Sequence, residues 1–172
     1  VIRGLVMSLY HRYGVRKILG IRYGYYGMID HHNEVPLALT PELVEGIDKM
    51  GGSRLGSSRG NQNIVDMVDF MARRGINILF TVGGDGTQRG ALGIAAEVER
   101  RGLQVAVVGV PKTIDNDIGY VERTFGFETA FSVAKDVLDG AHMEAMGALN
   151  GICIVKLMGR HAGFLATQAT IA

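Results

Sequence analysis

The chain has 172 residues, 47% hydrophobic and 20% charged, which suits one globular domain, or one with part of another, and excludes a disordered chain. A formal net charge of +1 provides no basic track for nucleic acid and no acidic tail, and no apolar stretch approaches a membrane span. The single cysteine, Cys153, excludes an internal disulfide framework; it sits in an apolar run and is expected to be a buried thiol in a reducing compartment.

Val1 to Tyr13 reads as a helix, and Arg16 to Arg22 as a short apolar strand followed by the loop Gly24-Tyr25-Tyr26-Gly27. Thr40-Pro41-Glu42 has the features of a helix start, with Leu43, Val44, Ile47 and Met50 on one side and Gly51-Gly52 as the stop. Asn61 to Arg74 is a second amphipathic helix, expected to turn Ile64, Val65, Val68, Met71 and Ala72 inward. Ile76 to Val82 is a nearly unbroken apolar strand, Thr87 to Arg100 a helix with Glu97 spaced to pair with Arg101, and Leu103 to Val110 another apolar strand. Phe125 to Ala145 is a long helix, Gly151 to Leu157 a strand, and His161 to Ala172 a further helix. Strands that are apolar on both faces and alternate with helices predict an open parallel sheet in a three-layer α/β sandwich with Rossmann-like topology. Residues 1–121 are expected to form one α/β domain, incomplete at its start, and 122–172 a crossover helix and the start of a second, incomplete α/β domain. Both ends fall inside an element pattern, so the chain reads as part of a longer polypeptide.

The 25 glycines gather in short clusters between apolar segments, where tight turns or close backbone approach to a ligand are expected. The sharpest is Gly83-Gly84-Asp85-Gly86-Thr87, between a strand and a helix. In open α/β sheets ligands bind at that edge, and backbone amides with a helix N-terminus suit phosphate oxygens. Asp85 has the wrong sign for phosphate but the right chemistry for Mg²⁺ held between them. Thr87 is placed to cap the helix; a plain glycine turn capped by Asp85 is the alternative. Gly90 either permits close packing or makes room for a nucleotide. Arg59-Gly60 closes a second small-residue loop, where Arg59 is either a phosphate ligand or a solvated arginine.

Pro111-Lys112-Thr113-Ile114-Asp115-Asn116-Asp117 follows the next strand at the same edge. Phosphoryl transfer to an alcohol needs a base on the attacking hydroxyl, a metal, and cations around the moving group. One carboxylate here can serve as base, the other can help hold metal, and Lys112 can offset the spreading charge. The alternative is an Asp/Asn turn held by local bonds. Met158-Gly159-Arg160 places a further arginine at a strand end, able to clamp a phosphate.

Together, GGDGT at 83–87, PKTIDND at 111–117, MGR at 158–160 and GGSRLGSSRG at 51–60 closely resemble the 6-phosphofructokinase family, in the plant and protist ATP-dependent form also found in some bacteria. The resemblance implies γ-phosphoryl transfer from Mg-ATP to the 1-hydroxyl of fructose 6-phosphate. It makes Asp115 the general base, with Arg160 and Lys112 as catalytic cations. Thr113, Ile114, Asp115, Met158, Gly159 and Arg160 would bind the sugar phosphate. Gly83, Gly84, Asp85, Gly86 and Thr87 would hold the donor, with Arg59, Gly60, Gly90 and Tyr25 nearer the nucleoside. Asp85 and Asp117 would hold Mg²⁺. Glycine at 86, where pyrophosphate-dependent members carry aspartate, points to ATP, although Lys112 also resembles the pyrophosphate type. Pyrophosphate-dependent transfer and a non-catalytic regulatory subunit are the alternatives.

The resemblance further implies a homodimer or homotetramer in the cytoplasm, with glycosome and plastid left open, and no nucleic-acid or membrane partner. A GGxxPGxN loop would precede Val1, and the later sugar-phosphate residues would follow Ala172, so a polypeptide limited to these residues is expected to be inactive. An intersubunit arginine of the bacterial type is matched here by Gly151.

Overall fold

The computed structural model describes residues 1–60 and 62–171. Asn61 and Ala172, which the sequence marks as a helix start and a helix end, lie outside them. Contacts divide the chain into two compact units, Val1–Phe80 with Arg89–Val108, and Thr81–Gln88 with Gly109–Ala172.

In the first unit, α1 (Ile2–Met7) runs on through a wider π turn at Ser8–Arg12. The strand expected over 16–22 shrinks to β1 (Leu19–Gly20), which pairs antiparallel with β2 (Leu37–Ala38). It stops because Tyr23 takes a left-handed φ of 56° and a 3₁₀ turn follows at Gly24–Met28. Val6, Leu39 and Val44 form a small core beside Ile18 and Leu55.

The helix expected from Thr40 to Met50 does not form. The Thr40 hydroxyl accepts from the Leu43 amide at 3.3 Å, as a cap does. Gly46, however, adopts φ 74°, and only a 3₁₀ turn at Ile47–Lys49 follows. A left-handed residue breaks the i→i−4 ladder, and glycine enters that conformation without steric cost.

The helix α2 (Ile64–Arg74) starts on Asn63, whose Oδ1 accepts from the Val65 amide at 2.9 Å, and ends on Gly75 at φ 62°. Its inner face is rotated from the expected one: Met67, Val68, Phe70 and Met71 are buried, whereas Val65 is 45% exposed and Ala72 is exposed. The larger Met67 and Phe70 side chains fill the main core, which also takes Met28, Leu79, Ile94 and Val98. Burying them removes more apolar area from water than burying Val65 and Ala72 would.

Three strands form the second sheet in the order β3 (Ile78–Gly83), β4 (Ala106–Thr113), β5 (Phe125–Gly126). The sheet is open and parallel with flanking helices, the Rossmann-like arrangement expected. Between β3 and β4 lies α3 (Asp85–Arg100), which buries Ala91, Ile94 and Val98. A Cβ at Gly93 would lie 2.6 Å from Ile64 Cδ1, so this glycine lets α2 and α3 approach closely. The chain continues through α4 (Phe127–Gly147) and α5 (Phe164–Ile171), which pack on each other around Phe127, Ala134, Leu165 and Ala169.

The strand expected at Gly151–Leu157 is absent. No described strand pairs with it, and Ile152 and Ile154 are 86% and 93% exposed. Cys153, expected to be buried, is exposed for the same reason.

On α3, the Glu97 carboxylate accepts from Arg101 Nε at 2.6 Å and from Arg100 Nε at 2.7 Å, and Arg101 reaches on to Asp69. The hydrogen bonds from Arg100 and then Arg101 hold the Glu97 carboxyl down to about 2. A carboxyl whose pKa is depressed by folding stabilises the fold above its ordinary value and loses that contribution as the pH falls toward the folded value. Glu97→Gln should therefore lower Tm at neutral pH, and the deficit should shrink between about pH 4.5 and about pH 2. Thermal melts across that range decide it; a deficit independent of pH would show that the charge contributes nothing.

Candidate active site

The glycine loop begins where β3 ends. Gly83 is buried, and a Cβ there would lie 2.2 Å from Thr87 Oγ1 and 2.7 Å from Thr87 Cβ, so the close turn demands glycine. The helix starts at Asp85, two residues before the expected start, so Thr87 lies inside the first turn and folds back on Gly83 instead of capping from outside. Asp85 and Gly86 are exposed at that helix start, where the positive end of the helix dipole favours an anion. A Cβ at Gly86 would meet nothing within 4 Å.

The acidic loop begins later than expected. β4 runs past Val110 through Lys112 and Thr113, because these two residues pair in parallel with Phe125 and Gly126. A two-residue partner strand leaves no periodic signal in a sequence. Beyond β4, Thr113 Oγ1 accepts from the Asp115 amide at 3.1 Å. Asn116 then takes a left-handed φ of 53°. Its Oδ1 accepts from the Thr124 amide at 2.8 Å and its Nδ2 donates to Glu122 O at 3.1 Å. Thr124, 4% exposed, donates its hydroxyl to Thr113 O at 2.7 Å. Asn116 and Thr124 thus close the loop and hold Asp115 and Asp117 on either side of the left-handed turn. The Asp115 carboxylate is half-buried and has no hydrogen bond or ion pair among the described residues.

The two loops run close together. A Cβ on Gly84 would lie 3.7 Å from Thr113 Cβ and 3.9 Å from Lys112 O. Asp117 also lines an open cavity of about 810 Å³ with Arg160, His161 and Ala162. Gly159 is buried at φ 129° and Arg160 sits at φ 54°, so the chain turns sharply before α5, with Arg160 exposed at the cavity. Met158 is 75% exposed. One compact unit thereby contains Gly83–Thr87, Lys112–Asp117 and Met158–Arg160.

The other site residues read from the sequence lie in the first unit. Arg59 and Gly60 are exposed, with Gly60 at φ 99°. The loop before them is pinned by Ser58 Oγ donating to Tyr23 O at 2.5 Å. The space over Gly90 is filled by Tyr25, whose Cε2 would lie 2.5 Å from a Cβ there. Gly90 thus leaves room for the Tyr25 ring, which stands on the Gly24–Met28 turn and not on a strand.

Sequence reasoning passed over Thr124 as a loop anchor and covered Asn116 only in the alternative of an Asp/Asn turn held by local bonds, which its bonds to Glu122 O and the Thr124 amide resemble. The signal for Asn116 was available, because asparagine tolerates the left-handed region better than other side chains; the partner eight residues on was not. Asn116→Gly and Asn116→Ala both remove the side-chain bonds, but only alanine is strained at φ 53°. Alanine should therefore cost about 1–2 kcal/mol more than glycine in urea unfolding. Equal losses would show that the backbone conformation carries no penalty.

A family model described as phosphofructokinase matches residues 1–172. An ATP-dependent 6-phosphofructokinase of Trypanoplasma borreli is 51% identical over the whole chain, which covers 35% of that protein. Those of Entamoeba histolytica and Borreliella burgdorferi are 52% and 49% identical over the whole chain, with 39% and 38% of their own lengths covered. The chain thus spans somewhat over a third of these curated relatives, which come from bacteria as well as protists. Among solved structures, a pyrophosphate-dependent phosphofructokinase from Marinobacter aquaeolei matches 99% of this chain and 44% of its own at TM-score 0.84 and 22% identity. A phosphofructokinase from Saccharomyces cerevisiae matches 99% of this chain and 25% of its own at TM-score 0.79 and 22% identity, and both likenesses concern the fold alone. With the family model covering every residue and relatives near half-identical along its whole length, the chain belongs to the phosphofructokinase family.

Proposed function

We propose that the protein carrying this chain transfers the γ-phosphoryl of Mg-ATP to the 1-hydroxyl of fructose 6-phosphate. The observation that carries the reading is that one compact unit brings the start of α3 near the loop with the half-buried Asp115, so that even a Cβ added at Gly84 would come within 3.7 Å of Thr113 Cβ. Asp115 accepts the proton of the sugar hydroxyl as that oxygen bonds to the γ-phosphorus. The bond from the γ-phosphorus to the bridging oxygen breaks, and ADP leaves with its electron pair. Lys112 and Arg160 offset charge on the equatorial oxygens. Thr113, Ile114, Met158 and Gly159 shape the sugar-phosphate side, and Gly83 to Thr87 hold the donor. Arg59, Gly60, Gly90 and Tyr25 form the nucleoside side of the same reading.

Asp85 and Asp117 fit Mg²⁺, as both are exposed carboxylates. No group of three or more potential ligands occurs among the described residues. Such a donor set suits a cation that keeps waters and takes most of its ligands from phosphates. When bound, Mg²⁺ supplies charge neutralisation on the donor phosphates.

Residues 1–121 as the donor domain, 122–172 as the start of the sugar-phosphate domain, and the plant and protist subtype belong to the same proposal. So does assembly as a homodimer or homotetramer, for which light scattering on the full-length protein should give a mass above the monomer. A coupled assay of the full-length protein with fructose 6-phosphate tests the reaction. Turnover with ATP is expected, and failure with every donor would overturn the catalytic reading.

A further inference from the structure

We propose that Gln88 is a positioning residue: its side-chain amide ties the end of β3 to β4 at Val110, just before the acidic motif, so that the glycine loop and the acidic loop move as one body. Only the catalytic consequence rests on the functional reading above.

Gln88 lies in the first turn of α3, half-buried, and its own amide donates to Gly84 O at 3.0 Å. Its Nε2 donates to Gly83 O at 3.0 Å and to Val110 O at 3.1 Å. Gly83 is the last residue of β3, and Val110 lies on β4 immediately before Pro111, where the acidic motif opens. Both acceptors are carbonyls, so the nitrogen end of the amide must face them, and its two hydrogens serve one strand each.

The strand on the far side is shaped to receive this amide. A Cβ on Gly109 would lie 2.2 Å from Gln88 Oε1 and 3.3 Å from its Cδ. Gly109 belongs to none of the phosphate-binding motifs and its φ is not in the left-handed region, so conformational freedom does not account for it. The room it leaves for Gln88 does. Just beyond the clamp the two loops run close together: a Cβ added at Gly84 would lie 3.7 Å from Thr113 Cβ and 3.9 Å from Lys112 O. A hydrophobic side chain at 88 would leave the Gly83 and Val110 carbonyls without this donor, and the spacing of the loops would lose this link. Misplacement of a catalytic group by about 1 Å can cost on the order of a hundredfold in rate.

The test is a mutant cycle in the full-length protein, read by hydrogen exchange and kinetics. Gln88→Met keeps the volume and removes both bonds. Gly109→Ala pushes the amide away from the other strand, which keeps the test open should either substitution fold poorly. Gln88→Met should raise amide exchange in both residues 84–87 and residues 111–115 by about tenfold, the scale expected for loosened local structure. It should lower kcat by roughly 10–100-fold while KM for both substrates stays within about threefold. Gly109→Ala should reproduce these effects in the parent and add little in the Gln88→Ala background.

Unchanged exchange in either loop, or an undiminished effect of Gly109→Ala in the Gln88→Ala background, would overturn the clamp. Faster exchange in both loops with kcat intact would overturn the positioning role. Should the parent itself show no turnover, the functional reading falls, and the exchange cycle still decides the clamp.

Discussion

Asp115→Asn is expected to lower kcat by roughly 10²–10⁴-fold in the full-length protein, the range for a positioned acid–base group. The substitution keeps the shape of the side chain and removes its capacity to take a proton. The loop should survive it, because the bonds that close the loop belong to other groups. Thr113 Oγ1 receives the Asp115 backbone amide, and Asn116 and Thr124 bridge the loop ends. The Asp115 carboxylate takes part in none of these contacts among the described residues, so its loss removes chemistry before it removes structure. Steady-state kinetics with a thermal melt check both halves of the expectation. Unchanged kcat with a raised KM for the sugar phosphate would move Asp115 from base to binding residue.

Gly86→Asp should reduce kcat/KM for ATP by about a hundredfold or more, since a desolvated like-charge contact costs several kcal/mol and each 1.36 kcal/mol is a factor of ten. The glycine is not required by the fold. Its Cβ position is empty out to 4 Å, its φ is not left-handed, and an aspartate in the first turn of α3 suits the helix dipole. What Gly86 keeps open is space and charge beside the helix start that is proposed to hold the donor. A carboxylate there would meet the α-phosphate of ATP, whereas pyrophosphate has no such group. Measuring kcat/KM with both donors on parent and variant separates the cases. A parent that prefers pyrophosphate tenfold would end the ATP reading and leave the family untouched.

Gly83 and Gly86 stand in one motif and look equivalent as letters, yet the structure needs only the first for packing. A Cβ at 83 would strike Thr87, whereas one at 86 would meet open space. A motif marks a ligand edge; which of its residues serve the backbone and which serve the ligand depends on neighbours that no spacing reports.

The elements legible in advance are those with strong local chemistry. α2 carries an amphipathic pattern and a glycine stop, and β3 is an apolar run that ends at glycine. Their types follow from the periodicity of side chains along the chain, and the motifs followed from residue types at fixed spacing. The sequence by itself therefore determined the α/β alternation, the glycine loop at the end of β3 and the family.

Tertiary structure decided the rest. It extended β4 through Thr113 because β5 lies alongside, and it left Gly151–Leu157 outside any sheet among the described residues because no strand pairs with it. It turned α2 toward Met67 and Phe70, and set the left-handed Gly46 where a helix was expected. It also joined Gln88 to Val110 and Asn116 to Thr124. In each case the outcome turns on a partner far along the chain or on one residue's backbone conformation. Strand pairing, side-chain bridges and packing gain free energy only when both surfaces are present, so a local pattern cannot show which of its possible partners will arrive.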